Sequence, residues 1–364
     1  MPVNVCASSR HVPDACVGPK EGADAAGELS LDGKIDTTAR ACSVLTASPS
    51  RQVTASEGNG GRSELWVIAG ATGTGKTALS LALAEACAGE IIIADSVQVY
   101  PGFDIGSAKI RPSEQRGIPH HLIDAFDPRQ PISAPDFARA ADAAIADVWR
   151  RGAQPIVVGG TGLWLRALLR GLVDMPTLDP DLRVSLTTRA AREGSAALHQ
   201  TLGEVDPVSA ARLHPNDTLR VIRALEVTLG TGKALSLWQA EHALGKPRYQ
   251  TKCVLLLREG DNYDRDLAAR AHAMLEQGWV AETRALRTQL GATHILLRAV
   301  GYRQINEHFS GKAPQDRALV DRIISATRRY ARRQRLWFRG EPGFEHALRV
   351  SEALPTQALL DHFC

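Results

Sequence analysis

The sequence predicts an α/β protein, a parallel β-sheet flanked by helices and interrupted by an all-helical insertion domain. Three observations carry this. Short, continuous apolar runs alternate with helix-period segments from Glu64 onward, as strands buried on both faces require. Glycine-rich turns join two of these strands directly to helices. Between about Thr177 and Lys246 the strand pattern stops, and the helical segments there are punctuated by Pro180, Gly194, Pro207, Pro215, Gly230 and Gly232.

Taken in order, Leu65–Ala69 is a short buried strand, followed by a glycine-rich turn and an apolar-periodic helix to about Cys87. Ile91–Ala94 is a second strand, ending at Asp95. His121–Ala125 is a third, before a helix that opens on Ser133-Ala134-Pro135-Asp136 and runs to about Arg151. That opening has the capping hydroxyl, the early proline and the first-turn acid of a helix N-terminus. Pro155–Val158 leads into Gly159-Gly160-Thr161-Gly162 and a helix through Leu169, and Val254–Leu257 is a fifth strand. After Asp264 the chain is helical, ending in an Arg-rich helix from about Asp316 to Arg335, and no internal repeat is present. The expected domains are a core in two parts, residues 64–176 and 247–340, an insertion at 177–246 and a C-terminal tail at 341–364.

Residues 1–63 stand apart. They contain no Phe, Trp or Tyr, are rich in Ala, Ser, Gly and Asp, and follow neither the strand nor the helix period. Such a segment cannot bury enough apolar surface to offset its ordering entropy, so it reads as a disordered extension. Its six basic and seven acidic residues exclude an Arg-rich, acid-poor transit peptide, and no apolar signal segment is present. Over all 364 residues, 43 Lys and Arg stand against 40 Asp and Glu, a balance too even to imply a nucleic-acid partner without local clustering. No apolar run approaches the length of a membrane span. The six cysteines are scattered, without C-x-x-C pairs, so neither a metal finger nor a disulfide framework is expected, and a reducing cytoplasm is the default compartment.

Gly70-Ala71-Thr72-Gly73-Thr74-Gly75-Lys76-Thr77 matches G-x-x-x-x-G-K-[ST], directly after a strand and directly before a helix. Glycines let backbone N–H groups turn inward around phosphate oxygens, at a helix N-terminus whose dipole favours anions. Lys76 adds a point charge for the terminal phosphates, and the Thr77 hydroxyl can hold Mg²⁺. A chance glycine-rich turn would not bring the Lys-Thr pair with it. The loop makes the sheet P-loop NTPase-like and predicts polyphosphate binding, whatever organic group is attached.

Asp95 closes the second strand, and in open parallel sheets the carboxyl ends of strands line the ligand crevice. Mg²⁺ ligand, general base and cap of the following loop are all open as its role. Gln98 reads equally as a donor to a nucleobase edge or as a solvent-facing side chain. Thr161 can donate to a phosphate oxygen or to an acceptor, although glycine-rich turns of this kind are common in α/β proteins.

The C-terminal helix carries the charge. Eight arginines, Arg317, Arg322, Arg328, Arg329, Arg332, Arg333, Arg335 and Arg339, stand against one acid, Asp321, with Trp337 and Phe338 among them. Guanidinium groups pair with phosphates and stack on bases, so this stretch reads as a nucleic-acid surface rather than a merely solvated helix face.

Together these residues resemble the tRNA dimethylallyltransferases. The resemblance covers roughly Trp66 to Arg339. It runs through the phosphate loop, Asp95-Ser96-Val97-Gln98-Val99-Tyr100, Asp104-Ile105-Gly106-Ser107-Ala108-Lys109 and Gly159-Gly160-Thr161-Gly162. It continues through Asp206-Pro207, Arg212-Leu213-His214-Pro215-Asn216-Asp217, Arg220-Val221-Ile222-Arg223-Ala224-Leu225-Glu226 and Ala299-Val300-Gly301-Tyr302-Arg303-Gln304. Ser107 stands where the family more often has Thr, and Ile110 where it more often has Pro.

The resemblance implies that the loop holds the diphosphate of dimethylallyl diphosphate. It implies prenyl transfer to N6 of the adenosine 3′ of the anticodon (position 37), in tRNAs reading codons that begin with U. Asp95 is then the general base, Thr161 sits near the transfer centre, Arg223 points to the diphosphate, and Thr77 holds Mg²⁺. The implied tRNA-facing positions are Asp95, Ser96, Val97, Gln98, Thr161, Arg183, Leu219, Arg220, Val221, Ile222 and Arg223. They continue with Arg298, Ala299, Val300, Gly301, Tyr302, Arg303, Arg332, Arg333, Gln334, Arg335, Leu336, Trp337, Phe338 and Arg339. The insertion would clamp the anticodon stem-loop while the target base leaves its stack. A bacterial, cytoplasmic, monomeric form without a membrane partner is expected. A P-loop small-molecule kinase and an isopentenyltransferase acting on free adenine nucleotide are the alternatives, and both leave the basic helix without a purpose.

Overall fold

The computed structural model describes residues 64–173, 175–176, 178–242, 246–311, 318–351 and 354–364. The N-terminal extension, residues 1–63, and Arg317 lie outside them. The chain begins β1 (Glu64–Gly70), α1 (Lys76–Cys87), β2 (Gly89–Ala94), β3 (His120–His121), α2 (Ala134–Arg150), β4 (Gln154–Gly159) and α3 (Gly162–Arg170). Five helices follow without a strand, α4 (Pro180–Glu193), α5 (Ser195–Val205), α6 (Pro207–Arg212), α7 (Thr218–Thr231) and α8 (Leu235–His242). The rest is β5 (Gln250–Leu257), α9 (Asp261–Glu276), α10 (Trp279–Leu290), α11 (Tyr302–Phe309), α12 (Leu319–Arg339), β6 (Ala347–Arg349) and α13 (Thr356–Phe363).

The six strands form one parallel sheet in the order β3-β2-β4-β1-β5-β6. Its inner strands are buried on both faces, which accounts for their continuous apolar runs. One face is covered by α2, α3 and α12 through Phe137, Ile145, Trp164, Leu168, Ile323 and Phe338, the other by α1 and α13 through Leu79, Leu83, Leu359 and Phe363. Register positions the site. Gly159 lies opposite Ala69 on one side and Ala94 on the other, so β1, β4 and β2 end level and their following loops meet at one sheet edge.

The helices between α3 and β5 have a core of their own, built from Leu186, Leu198, Leu202, Val221 and Leu225. At the start of α2 the predicted signal is realised as a capping box. Ser133 Oγ accepts from the Asp136 N–H, and the Asp136 carboxylate accepts from the Ser133 N–H.

Three expectations need correction. The third strand is cut to two residues because Leu122 and Asp124 take left-handed backbone angles, and the chain turns so that the N–H groups of Asp124 and Phe126 reach the carbonyls of Gln98 and Val99. The residues read as a C-terminal tail carry β6 and α13. Because α13 returns to pack on α1, Cys364 comes to Cys87 and is disulfide-bonded to it, where no disulfide was expected.

Candidate active site

The phosphate loop bridges the end of β1 and the start of α1. Gly73 and Gly75 have φ of 76° and 85°, the left-handed region that a side chain resists. No side chain caps α1, which leaves its first N–H groups for an anion. Lys76 Nζ donates to the carbonyls of Gly70 and Ala71 at 2.9 and 2.8 Å, and the Thr74 hydroxyl donates to the Ala71 carbonyl at 2.9 Å. The lysine is thus folded back over the loop. Burial pulls its pKa down to about 8, partly offset by the charge of Asp95. Thr77 is exposed at the mouth of the loop.

Asp95 follows β2 on the same edge. Its Oδ1 accepts the N–H groups of Val97 and Gln98 at 2.9 and 3.2 Å and so caps the next turn. Its Oδ2 accepts no hydrogen bond from the described residues. One carboxylate thereby fixes the turn with one oxygen and offers the other. Thr161 stands beside it, its Oγ1 accepting the Ser96 N–H at 3.1 Å. Gly159 is needed there, since a Cβ would lie 2.1 Å from the Ala94 carbonyl oxygen. Gln98 donates its amide to the Ser107 carbonyl at 3.0 Å, so that N–H is not free for a nucleobase.

Sequence reasoning missed Tyr263, Arg270 and Tyr330 here, and it named Gln334 only as a position facing tRNA. Tyr263, on α9, donates its hydroxyl to the Thr72 carbonyl at 2.6 Å, and Gln334, on α12, accepts the Thr72 N–H at 2.9 Å. Arg270 lies two turns beyond Tyr263, lining a cleft of about 270 Å³ with Gly73, Gly75 and Leu267, and burial lowers its pKa. Burial raises the pKa of Tyr330 on α12, and the nearby Asp95 charge adds to the rise. The helical spacing of Tyr263, Leu267 and Arg270 is a signal in the sequence, but it reads equally as an ordinary packed face.

The positions expected to face RNA divide. On α12, Arg332 and Arg333 are exposed and form no ion pair among the described residues, whereas Arg335 and Arg339 both reach Glu259, at 3.4 and 3.1 Å. Leu336 is exposed. Gln334 and Phe338 are buried, because the helix period turns them inward with Ala331. Phe338 packs edge-on against Phe344, and Trp337 lies over Gly162 beneath the Arg166 guanidinium, 4.3 Å away. The two aromatics are packing residues rather than open stacking surfaces.

On α7, Leu219, Arg220 and Arg223 are exposed, while Val221 and Ile222 belong to the core of the helical block. Arg183 and Arg223 share the buried Glu226 carboxylate, at 3.2 and 2.9 Å, and no hydrogen bond or ion pair among the described residues joins Arg223 to the phosphate loop. Arg298 and Arg303 are exposed, and Ala299 and Val300 half-buried. Gly301 and Tyr302 are buried beside Trp279.

Residues 98–341 match the family model described as IPP transferase. The chain belongs to the IPP transferase family. Residues 63–131, which include the phosphate loop, match the model described as isopentenyl transferase. A Sorangium cellulosum (strain So ce56) protein named tRNA dimethylallyltransferase is 46% identical over 278 residues, covering 76% of this chain and 88% of its own length. A Trichlorobacter lovleyi protein named tRNA dimethylallyltransferase 1 is 47% identical over 281 residues, covering 77% of this chain and 92% of itself. The crystal structure of a tRNA isopentenylpyrophosphate transferase from Bacillus halodurans superposes with a TM-score of 0.60 at 33% identity, over 83% of this chain and 95% of that one. A eukaryotic dimethylallyltransferase captured acting on tRNA gives a TM-score of 0.66 at 30% identity, over 79% of this chain and 74% of that one. The resemblance carried by the motifs is upheld, and with it the P-loop NTPase-like fold of the IPP transferases. None of the described helices is long and apolar enough to cross a membrane.

Proposed function

We propose that this IPP transferase moves the dimethylallyl group of dimethylallyl diphosphate to N6 of the adenosine 3′ of the anticodon (position 37) in tRNAs reading codons that begin with U. It acts as a cytoplasmic monomer. The observation that carries the reading is the Oδ2 of Asp95, which accepts no hydrogen bond among the described residues, on the sheet edge that also bears the phosphate loop. An exocyclic adenine amine is a weak nucleophile because its lone pair is delocalised into the ring. As that nitrogen bonds to C1 of the prenyl group, Asp95 takes its proton. The C1–O bond breaks, and its electron pair leaves with the diphosphate. Lys76, the loop N–H groups and Arg270 stabilise the charge developing on the leaving oxygens.

Mg²⁺ fits this donor set. Thr77 offers a hydroxyl at the open end of the loop, and no group of three or more His, Cys, Asp or Glu among the described residues forms an all-protein cage. That suits an ion that keeps waters and takes its other ligands from substrate phosphates. When bound, it would neutralise diphosphate charge. Arg332 and Arg333 on α12, with Arg298 and Arg303, contact tRNA phosphates.

The test is mass spectrometry of an unmodified anticodon stem-loop incubated with the protein, Mg²⁺ and dimethylallyl diphosphate, with AMP and ADP as parallel acceptors. One C5 prenyl group on the RNA alone is expected. Prenylation of free nucleotide would move the protein to a nucleotide-specific activity, and no product on any acceptor would contradict prenyl transfer.

A further inference from the structure

We infer that Gln334 is a positioning residue that sets the spacing between the phosphate loop and the base. The residue is 8% exposed, and both ends of its amide are engaged. Oε1 accepts the Thr72 N–H at 2.9 Å, and Nε2 donates to the Gly160 carbonyl at 2.9 Å. One side chain thus bridges the loop that receives the leaving group and the turn that carries Thr161. The bridge continues, since Thr161 Oγ1 accepts the N–H of Ser96, which follows Asp95. A path of hydrogen bonds runs from the Thr72 peptide through Gln334 and the Gly160 turn to the base.

The fit admits no slack. A Cβ on Gly160 would lie 2.6 Å from Gln334 Nε2 and 2.8 Å from the Gly70 carbonyl, so turn, loop and amide meet at closest approach. The Thr72 peptide is held from both sides, its N–H by Gln334 and its carbonyl by the Tyr263 hydroxyl. A neutral amide of this length can accept from a peptide N–H at one end and donate to a carbonyl at the other at any pH. Gln334 directly follows the exposed Arg332 and Arg333, so the same helix turn faces the surface and the site.

This inference rests on the assigned roles of Asp95 and the loop. Its test therefore pairs prenyl transfer to the stem-loop with binding of inorganic diphosphate, which requires the loop alone. Gln334→Ala in the full chain is expected to lower kcat about tenfold or more and to weaken diphosphate about fivefold, with tRNA affinity unchanged. Wild-type kinetics and wild-type diphosphate affinity in this variant would overturn it, as would a loss of tRNA affinity in step with kcat. Gln334→Glu keeps the size and gives a second readout. When protonated, its carboxyl can accept from Thr72 and donate to Gly160; when ionised, it turns a negative oxygen on the Gly160 carbonyl. Its kcat relative to wild type should rise about fivefold as pH falls from about 8 to about 6, and a flat ratio would mean that the side chain only fills space. Absence of transfer by the wild-type chain would count against the proposed reaction, and the diphosphate comparison would still decide the role of Gln334.

Discussion

Tyr302 donates its hydroxyl to Glu282 Oε1 at 2.7 Å, and the same carboxylate accepts the N–H groups of Asp104, Ile105 and Gly106 at 3.1, 2.7 and 3.1 Å. Two motifs distant in sequence are thereby tied together by a third element, α10. Trp279 lies between them, close enough that a Cβ on either Gly106 or Gly301 would fall 1.9 Å from its ring. Burial and the Glu282 charge raise the pKa of Tyr302, which therefore stays protonated and keeps donating across the ordinary pH range.

Glu282→Ala should destabilise the fold by about 2–4 kcal/mol, because it leaves three backbone N–H groups and one phenol without their acceptor. Urea unfolding measures this. An unchanged midpoint would mean that the junction is held by aromatic packing alone.

Lys76 gives a pH dependence of defined sign. Its ammonium form is the one that would attract the proposed diphosphate, and burial brings its pKa to about 8. Below that pH the cation is present; above it, the charge is lost. KM for dimethylallyl diphosphate should rise above about pH 8, approaching tenfold per unit, with little change in kcat at saturation. A KM that stays flat to about pH 9.5 would show that the cation is not limiting.

Arg332 and Arg333 on α12, exposed and without an ion pair among the described residues, make an electrostatic prediction. Arg332→Ala with Arg333→Ala should weaken tRNA binding and reduce the slope of log affinity against log salt by about 1.4–1.8, the share of two phosphate contacts. Titration of stem-loop binding over a salt series reads it directly. An unchanged slope would remove this face of α12 from the RNA interface.

Much of this was legible beforehand because it is local. The phosphate loop, the strand ending at Asp95 and the Ser133 cap each follow from a few neighbouring residues. What was not legible depends on register between distant elements. Gln334 and Phe338 sit among arginines in the sequence, yet a helix has two faces, and only the docking of α12 on the sheet decides which one is buried. Glu282 and Arg270 look like solvated charges on ordinary helices until α10 and α9 bring them to the 104–106 turn and the phosphate loop. The third strand failed for a similar reason, since its apolar run turns away to pair with the loop after Asp95.

In the proposed mechanism Asp95 holds one oxygen in its turn and uses the other as the base. Single-turnover prenyl transfer to the anticodon stem-loop by Asp95→Ala, compared with wild type, tests it most directly. A loss of about a hundredfold to ten-thousandfold in the chemical step is expected, with stem-loop affinity largely retained. Unimpaired turnover by a folded Asp95→Ala chain would contradict it and would leave Asp95 as the cap of a turn.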